Sequence, residues 1–278
     1  MAKFPGIRSV AAAILLAAAG CSSVPQVAPA DDVRAKISVD HRILGEDIWY
    51  GYRRIQFEFG GRKGWVALPN VAPAEGRPWT WTMQWAEAYV DRTGVLDLLR
   101  RGFHHVTLDL FPTRMDETGL AAAAEFQRFL VERLGFAPKA RLVGMSWGGF
   151  FSTRYAAAYP QNVARIYLDA PLLNFAGFGS SVESRIGPWA KTAVDDWNAD
   201  PRMPVNLAGP IARAGIPILL LYGGQDVVVR PELNSETFVP RFEAAGGKIA
   251  VVRRKMFGHH PHGTDPDKTS VIVDFLSL

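Results

Sequence analysis

The apolar run Ala140–Met145 leads directly into a serine flanked by glycines, "GMSWGG" from Gly144 to Gly149, and the chain continues as "FFSTRYAAAYP" up to Pro160. Glycine weakens the interior of strands and helices, so three glycines within these six residues imply a backbone constraint. The run before Ser146 reads as a buried strand, and the segment after it as a helix that stops at proline. Strand, tight turn and helix in direct succession is the unit of a sheet covered by helices.

The remainder of the chain repeats that alternation. "RRIQFEF" and "WVALPN" around "GGRKG" predict a hairpin. "RPWTWTMQ", "HHVTLDL", "VARIYLDAP", "IPILLLYGG" and "KIAVVRRKM" read as further strands. Helical segments are predicted near Val95–Arg101, closed by Gly102, over "ETGLAAAAEFQRFLVERLG", near Pro231–Ala245 and over the amphipathic "TSVIVDFLSL". The expected fold is α/β: a mostly parallel sheet of about eight strands with helices on both faces. Between Leu172 and Ala214 no strand is evident, so residues 172–214 are expected to form a short cap or insertion after the sixth strand.

The first residues stand apart from this pattern. Lys3 and Arg8 precede an apolar run, Val10–Gly20, which is short for a membrane span and has the shape of an export signal over residues 1–20. Cys21 follows, the only cysteine, with no partner for an intramolecular disulfide. Ala18-Ala19-Gly20-Cys21 resembles a bacterial lipobox, which implies lipidation of Cys21. Residues 21–35, polar and proline-containing at their start, read as a tether, and 36–278 as the folded domain. The expected location is the cell envelope, lipid-anchored to a membrane, or otherwise the exterior. With a formal charge of +4 and no basic stripe with interleaved aromatics, nucleic-acid binding is not supported.

A serine hydroxyl needs a base to become a nucleophile. Imidazoles lie in "MFGHHPHGTDP", where His259 and His260 are the candidate bases and His262 is close by. No comparable ligand cluster elsewhere suggests a metal centre, and no cofactor is implied. His41, His104 and His105 are expected to be structural. The base needs a carboxylate to fix its tautomer. Asp226 follows the apolar run "ILLLYGG", and strand ends of this kind carry catalytic groups in open α/β sheets. Asp169, at the end of "RIYLDAP", competes with it; Asp109 precedes the serine and is the weakest of the three. The Trp147 N–H, at the start of a helix, is placed to bind an oxyanion.

The pieces "GMSWGG", "YGGQDVVVRPE" and "FGHHPHGTDPDKTSVIVDFL" together resemble the α/β-hydrolase superfamily from about Arg53 to the C-terminus. The resemblance implies an esterase-like serine hydrolase with Ser146 as nucleophile, Asp226 as acid and His259 as base, leaving His262 as an accessory residue. Relatives often carry a His-Gly pair after the third strand for a second oxyanion donor; here that region is "WTWTMQWAEAY". The second N–H is therefore expected from Thr82, Met83 or Gln84, with Met83 the central choice. Trp79, Trp81 and Trp85 are candidates for pocket lining, the first two equally for core. The substrate class implied is a small-molecule, glycan or lipid ester. Amide or peptide cleavage is the alternative activity, and a non-catalytic envelope binding protein the alternative of another class. Oligomeric state is not readable from the sequence.

Overall fold

The glycine-linked hairpin is the first expectation met. In the computed structural model, which describes residues 32–278 and gives no side-chain detail for residues 179–183, α1 (Val33–Asp40) is followed by β1 (Ile43–Trp49), β2 (Tyr52–Phe59) and β3 (Arg62–Ala67). The chain continues through β4 (Trp79–Thr82), α2 (Val95–Arg100), β5 (His104–Leu108), α3 (Glu117–Glu132), β6 (Ala140–Met145), α4 (Trp147–Ala158) and β7 (Val163–Asp169). After it come α5 (Val182–Ile186), α6 (Ala208–Arg213), β8 (Ile218–Gly223), α7 (Ser235–Ala244), β9 (Ile249–Arg254) and α8 (Ser270–Ser277). The expected export signal and Cys21 lie outside the described residues.

All nine strands form one sheet in the order β1-β2-β3-β5-β4-β6-β7-β8-β9. The first three strands pair antiparallel, as does β3 with β5, and every later pair is parallel. The sheet thus has one strand more than the sequence predicts. The addition is β1, "ILGEDIW", an edge strand paired on one side only, in which only Trp49 is buried and Glu46, Asp47 and Ile48 are exposed. An edge strand with one wet face carries no buried apolar run to announce it. With β1 included, the segment 172–214 follows the seventh strand. Val33 and Ile37 of α1 are fully buried, so the domain begins inside the stretch read as tether.

The two faces of the sheet bury different helices. One core joins Phe126 and Leu130 of α3, Phe150, Phe151 and Tyr155 of α4 and Phe238 and Phe242 of α7. The other joins Leu98 and Leu99 of α2 to Ile272 and Leu276 of α8 across Val143, Tyr167 and Leu219. At about 25 cal/mol per Å² of apolar surface, such two-sided burial is the main term holding the layers together. Helix α4 is buried on nearly every side from Gly148 to Ala156, so the turn before it rests on the best-packed helix of the domain. Within 172–214, α5 packs against the 3₁₀ turns before and after it, while α6 packs against α4 and α7. No helix among the described residues is long and apolar enough to cross a membrane.

Candidate active site

Parallel strands end on one edge of the sheet, and β6, β7 and β8 deliver Ser146, Asp169 and Asp226 to it. Ser146 sits between β6 and α4 with φ +50° and ψ −117°, a backbone strain that a tight strand-to-helix turn imposes. Its N–H donates to the Asp169 carbonyl at 3.0 Å, and its own carbonyl accepts from Gly149 and Leu172 at 2.9 Å each. The strain is thus held from the end of β7 and from the first turn of α4. The small residues have steric causes. A β-carbon on Gly144 would lie 2.8 Å from the Gly148 carbonyl oxygen, and one on Gly149 would lie 2.3 Å from Cβ of Pro171. Gly148 is less constrained than the sequence suggests: a β-carbon there would lie no closer than 3.4 Å to its nearest neighbour, Gln84.

Asp226 begins the loop after β8. Its Oδ1 accepts from the Val228 and Val229 N–H groups at 2.9 and 2.8 Å, and its Oδ2 faces His259 Nδ1 at 2.7 Å. Burial alone would push this carboxyl up, but the hydrogen bonds from His259 and from the Val229 and Val228 amides outweigh it and hold the group below the usual carboxylate range. An ionised carboxylate only accepts, so the proton lies on Nδ1 and Nε2 is a free acceptor. That Nε2 is 3.1 Å from Ser146 Oγ, positioned to receive the hydroxyl hydrogen. His259 and Asp226 are only 6% and 4% exposed, whereas Ser146 is partly open to solvent. The serine, imidazole and carboxylate named from sequence meet in one hydrogen-bonded line.

The alternatives stand elsewhere. His260 is exposed and its Nδ1 meets the Tyr89 hydroxyl at 3.2 Å, with the two rings stacked. Burial, then the neighbouring His259 and His262, lower its proton affinity. Asp169 is fully buried and belongs to a second network: His262 Nδ1 at 2.9 Å, the Tyr167 hydroxyl at 2.6 Å, the Gly263 N–H at 2.8 Å and Arg254 Nη2 at 3.4 Å. Arg254 also donates to the Pro261 and Gly263 carbonyls, and Arg92 to that of His262. These groups pin the loop that carries His259. The sequence reading missed Arg254, Arg92 and Tyr167, which sit on a strand, a turn and a strand with no motif of their own. Donor nitrogens of His259, His260 and His262 lie within 4.8 Å of one another, but the three Nδ1 atoms are turned to Asp226, Tyr89 and Asp169.

The first helical turn of α4 leaves the Trp147 N–H without an intrahelical partner beside Ser146. Opposite it runs the segment after β4: the Thr82 carbonyl accepts from Thr107, Met83 is buried, and Gln84 backbone atoms border Gly148. Trp79 and Trp81 are fully buried core residues, and the Trp79 indole donates to the Ala137 carbonyl. Trp85 is 42% exposed and is joined to the Trp147 ring through Phe111, with ring centres 5.2 and 5.9 Å apart. His41 packs among Phe59 and Phe129, and His104 and His105 are buried, so all three are structural.

Known proteins supply a frame for this geometry. A family model described as alpha/beta hydrolase fold matches residues 87–185. Among solved structures the chain is similar to an S-formylglutathione hydrolase from Agrobacterium tumefaciens, with 14% identity, TM-score 0.59, and coverage of 84% of this chain and 95% of that one. It is also similar to dipeptidyl peptidase 4 from Porphyromonas gingivalis (13% identity, TM-score 0.59, 86% of this chain and 35% of that one). A puromycin-hydrolyzing peptidase from Mycobacterium tuberculosis is similar as well (19% identity, TM-score 0.57, 85% and 37%). The chain therefore spans about a third of the length of these peptidases. No curated protein sequence matches it. The nine-stranded sheet, the strained serine turn and these likenesses together give the chain the α/β-hydrolase fold.

Proposed function

We propose that the protein is a serine hydrolase that cleaves carboxylic esters through Ser146, His259 and Asp226. The observation that carries the proposal is the continuous line from Asp226 Oδ2 to His259 Nδ1 at 2.7 Å and from His259 Nε2 to Ser146 Oγ at 3.1 Å. In this mechanism Ser146 attacks the ester carbonyl and His259 takes its proton. Asp226 keeps Nε2 free beforehand and stabilises the imidazolium that forms. The tetrahedral oxyanion is held by the N–H groups of Trp147 and of Met83, each contributing about 3 kcal/mol to the barrier reduction. His259 returns the proton to the departing alcohol, and water then hydrolyses the acyl-enzyme by the reverse route. No cofactor enters these steps.

Ester cleavage is favoured over amide cleavage because the likeness to the formylglutathione hydrolase runs over 95% of its length, while that to the peptidases covers about a third of theirs. Peptide or amide cleavage on the same groups is the second reading, supported by those same peptidase likenesses. The sequence before the domain supports export and anchoring through a lipid on Cys21. The test is a panel of short p-nitrophenyl esters beside aminoacyl anilides, with Ser146→Ala as control. Ester turnover should exceed anilide turnover, and the substitution should cost at least about a thousandfold. Equal activity in the variant rejects Ser146 as nucleophile; faster anilide turnover rejects the ester preference.

A further inference from the structure

We propose that the groove beside the serine binds the alcohol portion of the ester, and that this portion is a neutral carbohydrate. The proposal rests on the ester-hydrolase reading above and names its substrate class.

A cavity of about 530 Å³ lies between the face of β2, β3 and β5 and the segment Gln84–Ala88, a size within the range of small-molecule sites. Its floor is a row of cross-strand neighbours, Gln56 opposite Trp65 and Trp65 opposite Thr107, which therefore share one face. Arg54, two residues before Gln56, lies on that face too and is tied to Asp47 and Glu87. The Trp49 indole donates to Glu87 at 2.7 Å, which fixes the far end of the Gln84–Ala88 wall.

Two connections lead from the groove to the nucleophile. Gln84 lines the cavity and its backbone borders Gly148, the second residue after Ser146. Trp85 also lines it and reaches Trp147 through the Phe111 ring. An ester whose carbonyl sits at the Trp147 N–H has this groove beside one of its two substituents.

The lining selects among substituents by its chemistry. Two cationic side chains, Arg54 and Lys63, face two anionic ones, Glu87 and Asp109, so the groove offers no net charge to a phosphate or an ammonium group. A fatty chain would exclude water from these charged and amide groups, several of them already paired within the protein, while offering them no hydrogen bond of its own, which is costly. A sugar satisfies both kinds of surface: its hydroxyls pair with planar amides and carboxylates, and its C–H face covers an indole. Trp85 supplies that indole, being exposed and held at φ +65°, a backbone strain that turns a large apolar ring outward at the rim.

The test uses the purified protein with p-nitrophenyl acetate as baseline, and O-acetylated xylo-, manno- and chito-oligosaccharides against ethyl acetate and p-nitrophenyl decanoate. At least one acetylated oligosaccharide should exceed ethyl acetate in kcat/KM by about a hundredfold or more. In Trp85→Ala and, separately, Lys63→Ala, both surface changes, the ratio of sugar-ester to p-nitrophenyl acetate kcat/KM should fall by about tenfold. Sugar esters no better than ethyl acetate, or a decanoate preference, overturn the carbohydrate assignment while baseline turnover leaves the hydrolase reading standing. Loss of baseline turnover on every ester sinks the hydrolase reading instead. In that event, binding of the unacetylated oligosaccharides to Ser146→Ala, followed by saturation-transfer NMR, still decides the groove: transfer supports it and none refutes it.

Discussion

Replacing Asp226 by asparagine should invert the tautomer of His259 rather than merely remove a charge. Asp226 Oδ1 accepts from two backbone amides, Val228 at 2.9 Å and Val229 at 2.8 Å. The asparagine oxygen will stay there, because turning the amide round would point its NH₂ at two donors. The NH₂ then occupies the place of Oδ2, 2.7 Å from His259 Nδ1. Facing a donor, Nδ1 must become the acceptor, which moves the imidazole hydrogen to Nε2 and aims it at Ser146 Oγ. The serine loses its proton acceptor, and the imidazolium loses its counter-charge. In a serine–histidine–carboxylate system this combination costs about 10³- to 10⁴-fold in kcat, or roughly 4–5.5 kcal/mol of barrier. The assay is kcat/KM on p-nitrophenyl acetate, with circular dichroism and a denaturation curve to show that the fold is retained. A folded Asp226→Asn protein within about tenfold of the parent would refute the tautomer argument and with it the role of Asp226.

Other consequences can be checked by simpler means. Asp169→Asn breaks the charge pairing of a fully buried carboxylate with Arg254 and disturbs its bond to His262; denaturant titration should show a loss of about 3–5 kcal/mol. Gly149→Ala should destabilise by about 1–3 kcal/mol, although helix propensity alone would gain about 1, because the new methyl meets Pro171 Cβ at 2.3 Å; a raised melting temperature would contradict this. His105, fully buried beside the Thr80 hydroxyl at 2.7 Å, has its pKa pushed down by burial to about 3. Its neutral form is thus the folded one and the unfolded chain binds the extra proton, so this contribution is complete above pH ~6.5 and is lost as pH falls towards ~3. Urea titrations of His105→Gln against the parent should show a shallower fall over that window, by up to about 1.4 kcal/mol per pH unit; identical slopes would exclude a buried neutral imidazole.

The residues of the site that are legible in the sequence are those whose role is written in local pattern. Ser146 follows a strand and a glycine that the strand-to-helix turn needs, and Asp226 and His259 each lie in the loop that follows a strand. The succession of strands and helices follows from alternation in the same way, and the hairpin of β2 and β3 from its glycine turn. What escapes is whatever depends on distant partners. β1 has Ile48 72% exposed and an edge position, so nothing in its own composition separates it from a loop. Asp169 looks like a rival acid because it too ends a strand; only the approach of His262, Arg254 and Tyr167, from positions up to 93 residues away, turns it to holding the histidine loop. The three tryptophans around β4 are equivalent in sequence. Trp79 and Trp81 point into the core, while Trp85, beyond the strand end, is left at the groove.

The most direct measurement of Ser146 as a base-activated nucleophile is fluorophosphonate labelling of the folded protein, with the modified peptide mapped by mass spectrometry. One adduct should form, on Ser146, absent from Ser146→Ala and slowed by about a thousandfold in Asp226→Asn. An unlabelled parent protein, or an adduct on any other residue, would contradict it.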